Sequence, residues 1–600
     1  MSLFNKNLAL LKSTQPSLAK RVEKEPKYGS VRVTLAKDGN PIPQIGSISL
    51  HSNYYPLKEA SQCISGFEVN ERQSPVVYGL GFGYHILEIL NKYPEKEILV
   101  IEPLMPLFRV FMETMDIKLF LPKTKFIIDE FPPKILACYQ SKNWNIYLHL
   151  ASKQISNDYY ECMDKSREAA ELILSNSLKI LVVNPYYGGS LPTAQYCVQA
   201  LKSMGHHAEP VECDKFAETY LSLDKITANI NNTKLLSQQF NSFMGQVIAA
   251  KAADFQPDMV LALAQAPLSP NAIKNLQSLK VPIAFWFVED FKTLTYWKDI
   301  ASSYDYFFTI QRGEIFEELK SLGLNNYYYL PQACLPDLHR TIPLSPKEKR
   351  QFSANISFMG AGYYNRTQSF PRLLQHDFKI WGTEWNLESP LGSRVQNKNK
   401  RISSETIVKI YNAGKININL HSSTYHLGVN PKGDFVNPRT FEIAACGGFQ
   451  LVDDRTELVE LMIPGSEVAT FCSIDELCEK VDYYLKNEDE AKSIATMGKI
   501  RVLKEHTFQH RMREMLIHIF RNSLSKLKER IDDKFRDPVN YCIDQAGASS
   551  NLGKYLEQYR GKTNFSIDTM IDNIENGKGD LNKEELLILM VDQLVKPESR

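Results

Sequence analysis

Short apolar runs recur along the chain, each followed by a glycine-bearing turn and then a stretch whose apolar positions have helical spacing. In PVVYGLGFGYHILEIL the run ends at Gly79, Gly81 and Gly83; a helical stretch follows, and a second run, KEILVIEP, ends at Glu102. LKILVVNPYYGGSLPTAQYCVQALKSMGHHAEPVE repeats the arrangement with Gly188 and Gly189 in the turn and apolar Cys197, Val198 and Leu201 on the helix. ANISFMGAGYYNRTQSFPRLLQ does so again, with Gly360 and Gly362 in the turn and Arg366 near the helix start. Between them, DMVLALA, VPIAFWFVED and YDYFFTI alternate with helical NAIKNLQSL and EIFEELKSLG, which argues for a parallel sheet. The pattern predicts an α/β chain of Rossmann-like units in series.

Punctuation divides the series. A long helical pattern, DYYECMDKSREAAELILSNS, gives way to a strand near residue 176, and prolines at 336, 343 and 346 mark a connector near 343. Beyond about residue 525 the sequence is polar and helical, without a clear strand. The expected domains are 1–175, 176–343, 344–525 and a helical tail over 526–600.

Composition narrows the function classes. With 43% hydrophobic and 23% charged residues, neither a disordered nor a collagen-like chain fits. A formal net charge of +1 supplies no global field for nucleic acid, and no nucleic-acid partner is expected. The ten cysteines are scattered with no CxxC pair, against a zinc ribbon or a disulfide framework. MSLFNKNLALLKS lacks a long apolar leader and no stretch approaches the ~20 apolar residues of a membrane span, so a cytoplasmic protein is expected.

The most informative stretch is VNPRTFEIAACGGFQLVDDRTELVELM. Asn437, Pro438 and Arg439 precede a helix carrying Glu442, which stops at Cys446-Gly447-Gly448 before an apolar strand. A carboxylate there, on the carboxyl side of a parallel sheet, can accept both hydroxyls of a ribose. Alternatively, Glu442 pairs with Arg439 one turn earlier; spacing alone leaves both open.

This segment resembles the glycosyl transferase group 1 signature in the form found in the CgeB (spore maturation protein) family: Arg, any residue, Phe, Glu, two residues, Ala, a small residue, Gly. ISFMGAGYYNR, FKIWGTEW, ETIVKIYNAGKININLHSS and IATMGKIRVLKEHTFQHRM resemble that family's core in the same order, so the similarity covers about residues 178–525. The resemblance implies a GT-B architecture, with two facing Rossmann-like domains, the donor nucleotide in the second and the acceptor mostly in the first. It implies a bacterial-type glycosyltransferase that moves a sugar from a nucleotide-diphosphate donor to a protein or glycan acceptor. Related retaining enzymes carry Glu, seven residues, Glu; Glu442 matches the second position, but the first is Asp434, a shorter carboxylate. That departure leaves the sugar-facing role of Asp434, and retention or inversion, open.

Arg366, after the Gly360/Gly362 turn, is the expected partner of the donor diphosphate, with an exposed surface arginine as the alternative. Arg366 and Glu442 are both assigned to an open crevice. Lys415, in YNAGKININL, is a second candidate cation or a plain strand-entry lysine. Gly188 and Gly189 would let backbone approach phosphates or acceptor. Asp290, closing AFWFVED, is a candidate base or a helix cap. His421 and His426, in LHSSTYHLGV, read as hydrogen-bonding loop histidines before catalytic ones. No Asp-x-Asp tripeptide occurs, so no metal and no cofactor beyond the sugar donor are expected.

At the amino-terminal end, HSNYYPLKEA, GLGFGYH and VIEP resemble the motility accessory factor family over about residues 30–150. That family is associated with flagellin glycosylation, which would make flagellin or another surface protein the acceptor. The same residues look like the first half of an S-adenosylmethionine methyltransferase centred on 70–150, with Glu102 for a ribose. Two alternatives to the glycosyltransferase reading therefore stand: that methyltransferase, with the remaining chain for recognition, and a non-catalytic GT-B-shaped binding protein. The N-terminal unit is otherwise expected to be a Rossmann-like docking or recognition domain.

Overall fold

Four sheets carry the chain in the computed structural model, which describes residues 1–26, 30–532, 538–560, 565, 567–577 and 579–595. A small antiparallel sheet comprises β1 (Val31–Leu35), β2 (Pro41–Ile45) and β3 (Ile48–Ser49). A four-stranded parallel sheet follows: β4 (Ser74–Tyr78), β5 (Ile98–Glu102), β6 (Thr124–Ile128) and β7 (Trp144–Leu148), ordered β6-β5-β4-β7. Next come β8 (Lys179–Val183), β9 (His207–Val211), β10 (Met259–Leu263), β11 (Ile283–Phe287), β12 (Tyr306–Thr309) and β13 (Tyr327–Tyr329), a parallel sheet ordered β13-β12-β11-β10-β8-β9. β14 (Ala354–Met359), β15 (Phe378–Trp381), β16 (Gly414–Asn419), β17 (Gln450–Asp453) and β18 (Ala469–Phe471) form the last parallel sheet, ordered β15-β14-β16-β17-β18.

The strand sequences explain the layering. β10 (MVLAL) and β11 (IAFWF) are buried at every position, as strands covered by helices on both faces must be. Their side chains pack with Leu181, Ile248, Trp297 and Ile315 into the core of the second Rossmann-like sheet. Phe358, Phe370, Ile380, Ile418 and Leu451 build the core of the third.

Each Rossmann-like sheet has a point where strand order reverses: between β4 and β7, β8 and β10, and β14 and β16. Loops leave in opposite directions there, opening a crevice at the carboxyl ends of the strands. The crevices of the second and third sheets face each other. Gln311, after β12, donates through Nε2 to both carboxylate oxygens of Asp434, after β16, at 3.1 and 3.2 Å. Arg401 donates to the Gly188 carbonyl at 2.8 Å, and the Tyr196 hydroxyl meets Ser404 Oγ at 2.9 Å. Two facing parallel α/β units constitute the GT-B architecture.

The helix Phe508–Phe520 returns from the third unit to the first two. Arg513 donates to the Ala137 carbonyl at 2.7 Å and Gln509 to Ser203 Oγ at 3.1 Å. Ser523–Arg600 is a separate compact unit. Its described residues are helical around Val539, Ile543, Leu556, Tyr559 and Met570; parts of the 526–600 tail lie outside the described residues. Among the described residues no helix is long and apolar enough to cross a membrane.

Candidate functional site

The crevice of the first sheet is filled by the protein itself. His51 accepts a hydrogen bond from the Phe82 amide at 2.8 Å through Nε2, and a Cβ on Gly81, whose φ is +51°, would stand against that ring nitrogen. Ser152 occupies the space over Gly79, and a Cβ on Gly83 would come within 2.6 Å of the Phe120 ring. Glu102 accepts from the Leu80 and Leu104 amides at 2.9 and 3.0 Å, while burial pushes its carboxyl up to about 7. The turn and the carboxylate expected to hold S-adenosylmethionine are thus spent on internal bonds, which corrects the methyltransferase alternative. His51, His85 and His149 are buried, with one ligand atom of each within 4.8 Å of the others. The His85 and His149 rings are nearly parallel, 8° apart at 4.5 Å between centroids, so their in-plane lone pairs do not converge on one ion without a ring turning. Gly81→Val is expected to cost about 2–5 kcal/mol, from a left-handed backbone on a side-chain-bearing residue plus overpacking against His51. Thermal unfolding checks this, and a wild-type melting curve would show that the histidine gives way.

In the third sheet Arg366 and Arg439 have different surroundings. Arg366 is 2% exposed, not in an open crevice and not on the surface. Its Nε and Nη2 donate to the Leu420 carbonyl at 3.1 and 2.9 Å, and its Nη1 to the Ala361 carbonyl at 2.9 Å. It therefore bridges the loops after β14 and β16 across the point of strand reversal, a structural cross-tie where a phosphate-binding cation was expected. Gly360 and Gly362 serve a neighbouring loop: a Cβ on Gly362 would meet the Glu384 carbonyl oxygen at 2.5 Å, and Trp385 Nε1 donates to the Gly360 carbonyl at 3.0 Å.

Arg439 is half-buried on the helix Pro438–Ala445, with Nη1 3.2 Å from where a Gly360 Cβ would stand. Its Nε donates to Asn419 Oδ1 at 3.2 Å; among the described residues its terminal nitrogens have no hydrogen-bond partner. Glu442 sits one turn later in the same helix and is 9% exposed, buried where an open crevice was expected. It accepts from the Tyr411 hydroxyl at 3.4 Å, and His339 Nε2 lies 3.8 Å from its other oxygen. Burial pushes Glu442 up to about 7, opposed by the Arg439 charge and Tyr411. No ion pair joins Glu442 to Arg439 among the described residues, so the one-turn pairing is not formed.

The helix is aimed by a buried network. The Asn437 side chain donates to Asn419 Oδ1 at 2.8 Å, and the Asn437 amide donates to His421 Nε2 at 2.9 Å. The other ring nitrogen of His421 donates to Asp453 at 2.6 Å, and Arg455 bonds the second Asp453 oxygen. Burial would raise the Asp453 carboxyl, but His421 and Arg455 hold it below the ordinary carboxylate range. Burial and the Arg455 charge lower His421 to about 4, so it is a neutral framework residue. His426 bonds Ser423 at 2.7 Å.

Lys415 and Asp290 take the structural alternatives expected for them, and Asp434 is held in place by its neighbours. Lys415 begins β16, at the opposite end of the sheet from the crevice, and pairs with Glu488 at 2.8 Å on the surface. Asp434 does not stand free: Gln311 holds both its oxygens, and the Phe435 amide donates to one at 2.7 Å. Asp290 accepts from the Lys292 and Thr293 amides at 2.8 and 3.4 Å, a turn-capping role. Its neighbour Glu289 faces the crevice instead, accepting from Gln265 Nε2 at 2.8 Å and from the Tyr296 hydroxyl at 3.5 Å. Burial pushes Glu289 up to about 7 against those bonds. Gly188 lies against Gln265, whose Oε1 would be 3.2 Å from an added Cβ, while Gly189 has open space. Sequence reading missed Glu289 because consecutive carboxylates leaving a strand point to different sides, and only the packed sheet says which side is the crevice.

Comparison with known proteins agrees with the third unit's geometry. Residues 366–517 match the family described as glycosyl transferase-like. The spore protein CgeB of Bacillus subtilis is 26% identical over 269 residues, 43% of this chain and 81% of that protein. Among solved structures, a glycosyltransferase from Rickettsia africae is 14% identical, covering 60% of this chain and 100% of its own at a TM-score of 0.39. HepE from Anabaena, solved with UDP-glucose, is 12% identical over 58% of this chain and 100% of its own at a TM-score of 0.38. Residues 366–517 match a glycosyl transferase-like family, in a chain similar to spore protein CgeB.

Proposed function

We propose that the chain transfers a sugar from a nucleotide-diphosphate donor, held in the crevice of the third sheet, to a hydroxyl of a protein or glycan acceptor on the second. The observation that carries this reading is the pair Arg439 and Glu442 on one helix turn, the guanidinium ends unpaired beside the Gly360 turn and the carboxylate buried beside Tyr411 and His339. Glu442 accepts the ribose hydroxyls. Arg439 neutralises the diphosphate as its bond to the sugar breaks, so the negative charge that builds on departure meets a fixed cation. This chemistry needs no metal, and turnover is proposed to survive EDTA. Arg366 and the His421–Asp453–Arg455 network keep the crevice walls and the helix in register.

A thermal-shift titration with uridine, guanosine and adenosine diphosphate sugars tests the proposal, since a ligand that binds only the folded state raises the melting temperature with concentration. No shift with any of them would remove it. Donor affinity should also depend on pH. With Glu442 near 7, the ionised carboxylate that accepts ribose hydroxyls dominates only above that pH, so affinity rises from pH 6 to 8. Glu442→Gln flattens that rise. Glu442→Ala removes hydrogen bonds to a charged group worth ~1.5–3 kcal/mol, a tenfold to hundredfold loss of donor affinity.

A further inference from the structure

A second concavity lies at the reversal point of the second sheet, between the loops after β8 and β10. It has a volume of about 400 Å³ and is lined by Tyr186, Tyr187, Tyr220, Asn241, Gln265 and Tyr296 among others, with no charged residue among the described residues that line it. The Tyr186 and Tyr220 rings stack at 4.4 Å and 22°, and Tyr186 donates to Asn241 Oδ1 at 2.8 Å. Tyr187 is 43% exposed beside them.

Gln265 connects this concavity to the crevice carboxylate. It holds Glu289 through Nε2 at 2.8 Å, and its own amide donates to the Tyr296 hydroxyl at 2.7 Å. Its φ is +65°, a left-handed backbone on a residue that is not glycine. Such strain costs of order 1–3 kcal/mol and persists where surrounding structure imposes it, often at ligand sites. Ser190 stands beside the same carboxylate.

We propose that this tyrosine-walled concavity is the acceptor site, that it takes a neutral saccharide ring in preference to a polypeptide side chain, and that Glu289, bonded to its lining residues Gln265 and Tyr296, removes the proton of the acceptor hydroxyl. The inference rests on the glycosyltransferase reading. A sugar has a face of C–H groups that lies on an aromatic ring and a rim of hydroxyls that bonds amides, and the pocket offers both. A phosphorylated acceptor would want a cation, and none of the described residues that line the pocket is one. In the step itself the acceptor O–H proton passes to a Glu289 oxygen and the acceptor oxygen bonds to the anomeric carbon. The bond from that carbon to phosphate breaks, its electron pair leaving with the nucleoside diphosphate.

The test uses the full chain and needs no variant at its first stage. Methyl glucoside, methyl galactoside, methyl N-acetylglucosaminide and a serine-containing peptide are each examined by saturation-transfer NMR. At least one glycoside should receive saturation at its ring C–H protons, and Tyr187→Ala should weaken it at least tenfold while nucleotide-sugar binding stays unchanged. Glu289→Gln should keep glycoside binding, lower kcat for that acceptor by 10²–10⁴ and, with donor saturating at every pH so that Glu442 is not read, lose the pH-rate limb near 7. Silence from every glycoside, binding of the peptide alone, or glycoside binding indifferent to Tyr187→Ala would each overturn the proposal. A wild-type pH profile with no limb near 7 would overturn the role of Glu289, whether or not the variant folds. Failure of the glycosyltransferase reading looks different: nucleotide sugars then give no thermal shift on the unmodified protein.

Discussion

Arg366→Ala is expected to lower the melting temperature of the chain by roughly 10 °C, not to act selectively on turnover. The side chain is buried and spans the gap between β14 and β16, satisfying two backbone carbonyls from loops 59 residues apart in sequence, Ala361 and Leu420. Hydrogen bonds to a charged group are worth ~1.5–3 kcal/mol each, and carbonyls left buried without donors cost more. A loss of about 3–5 kcal/mol follows, a large share of the ~5–15 kcal/mol that holds a typical domain together. Arg366→Lys should recover only part of it, because one ammonium cannot reproduce the planar fork that reaches both carbonyls. Thermal and denaturant melts check this. A variant that melts like the wild type but has lost turnover would return Arg366 to the diphosphate.

Arg439→Ala should show the reverse. Among the described residues its guanidinium makes one hydrogen bond, to Asn419 at 3.2 Å, which leaves its terminal nitrogens for a ligand. Removing a preorganised donor to charge that develops in the transition state typically costs 10²–10³ in kcat, so that is the expected loss, with a smaller change in donor affinity. Lys at this position should restore part of the rate, since an ammonium supplies charge without bidentate geometry. Stability should change little. Single-turnover rates and donor titrations distinguish the two effects, and near-normal turnover in Arg439→Ala would remove Arg439 from the chemistry.

Local residue patterns specify part of this molecule. The strands KILVV, MVLAL and IAFWF are apolar at successive positions, and burial on both faces of a parallel sheet follows from that alone. The glycine turns after β4, β8 and β14 and the Arg439–Glu442 spacing on one helix were likewise legible, because strand, turn and helix signals are local. So was the end of the sheet on which Lys415 falls, since it enters a parallel strand at its amino end.

What a turn or a charged side chain meets is decided by segments far along the chain. The Gly79–Gly83 turn has a ligand-binding spacing, yet His51 and Ser152 fill it from either side in sequence. Arg366 and Arg439 are both arginines near glycine turns, but only packing puts one beneath two carbonyls and leaves the other open. Asp290 and Glu289 are adjacent and chemically alike, and the twist of the chain leaving β11 gives the crevice to Glu289. Side-chain periodicity specifies which face a residue takes within its own element, whereas desolvation and hydrogen-bond partners belong to the assembled sheets; the sequence determined the three parallel sheets and the helix bearing Glu442, and tertiary packing alone decided which charged groups remained free for a ligand.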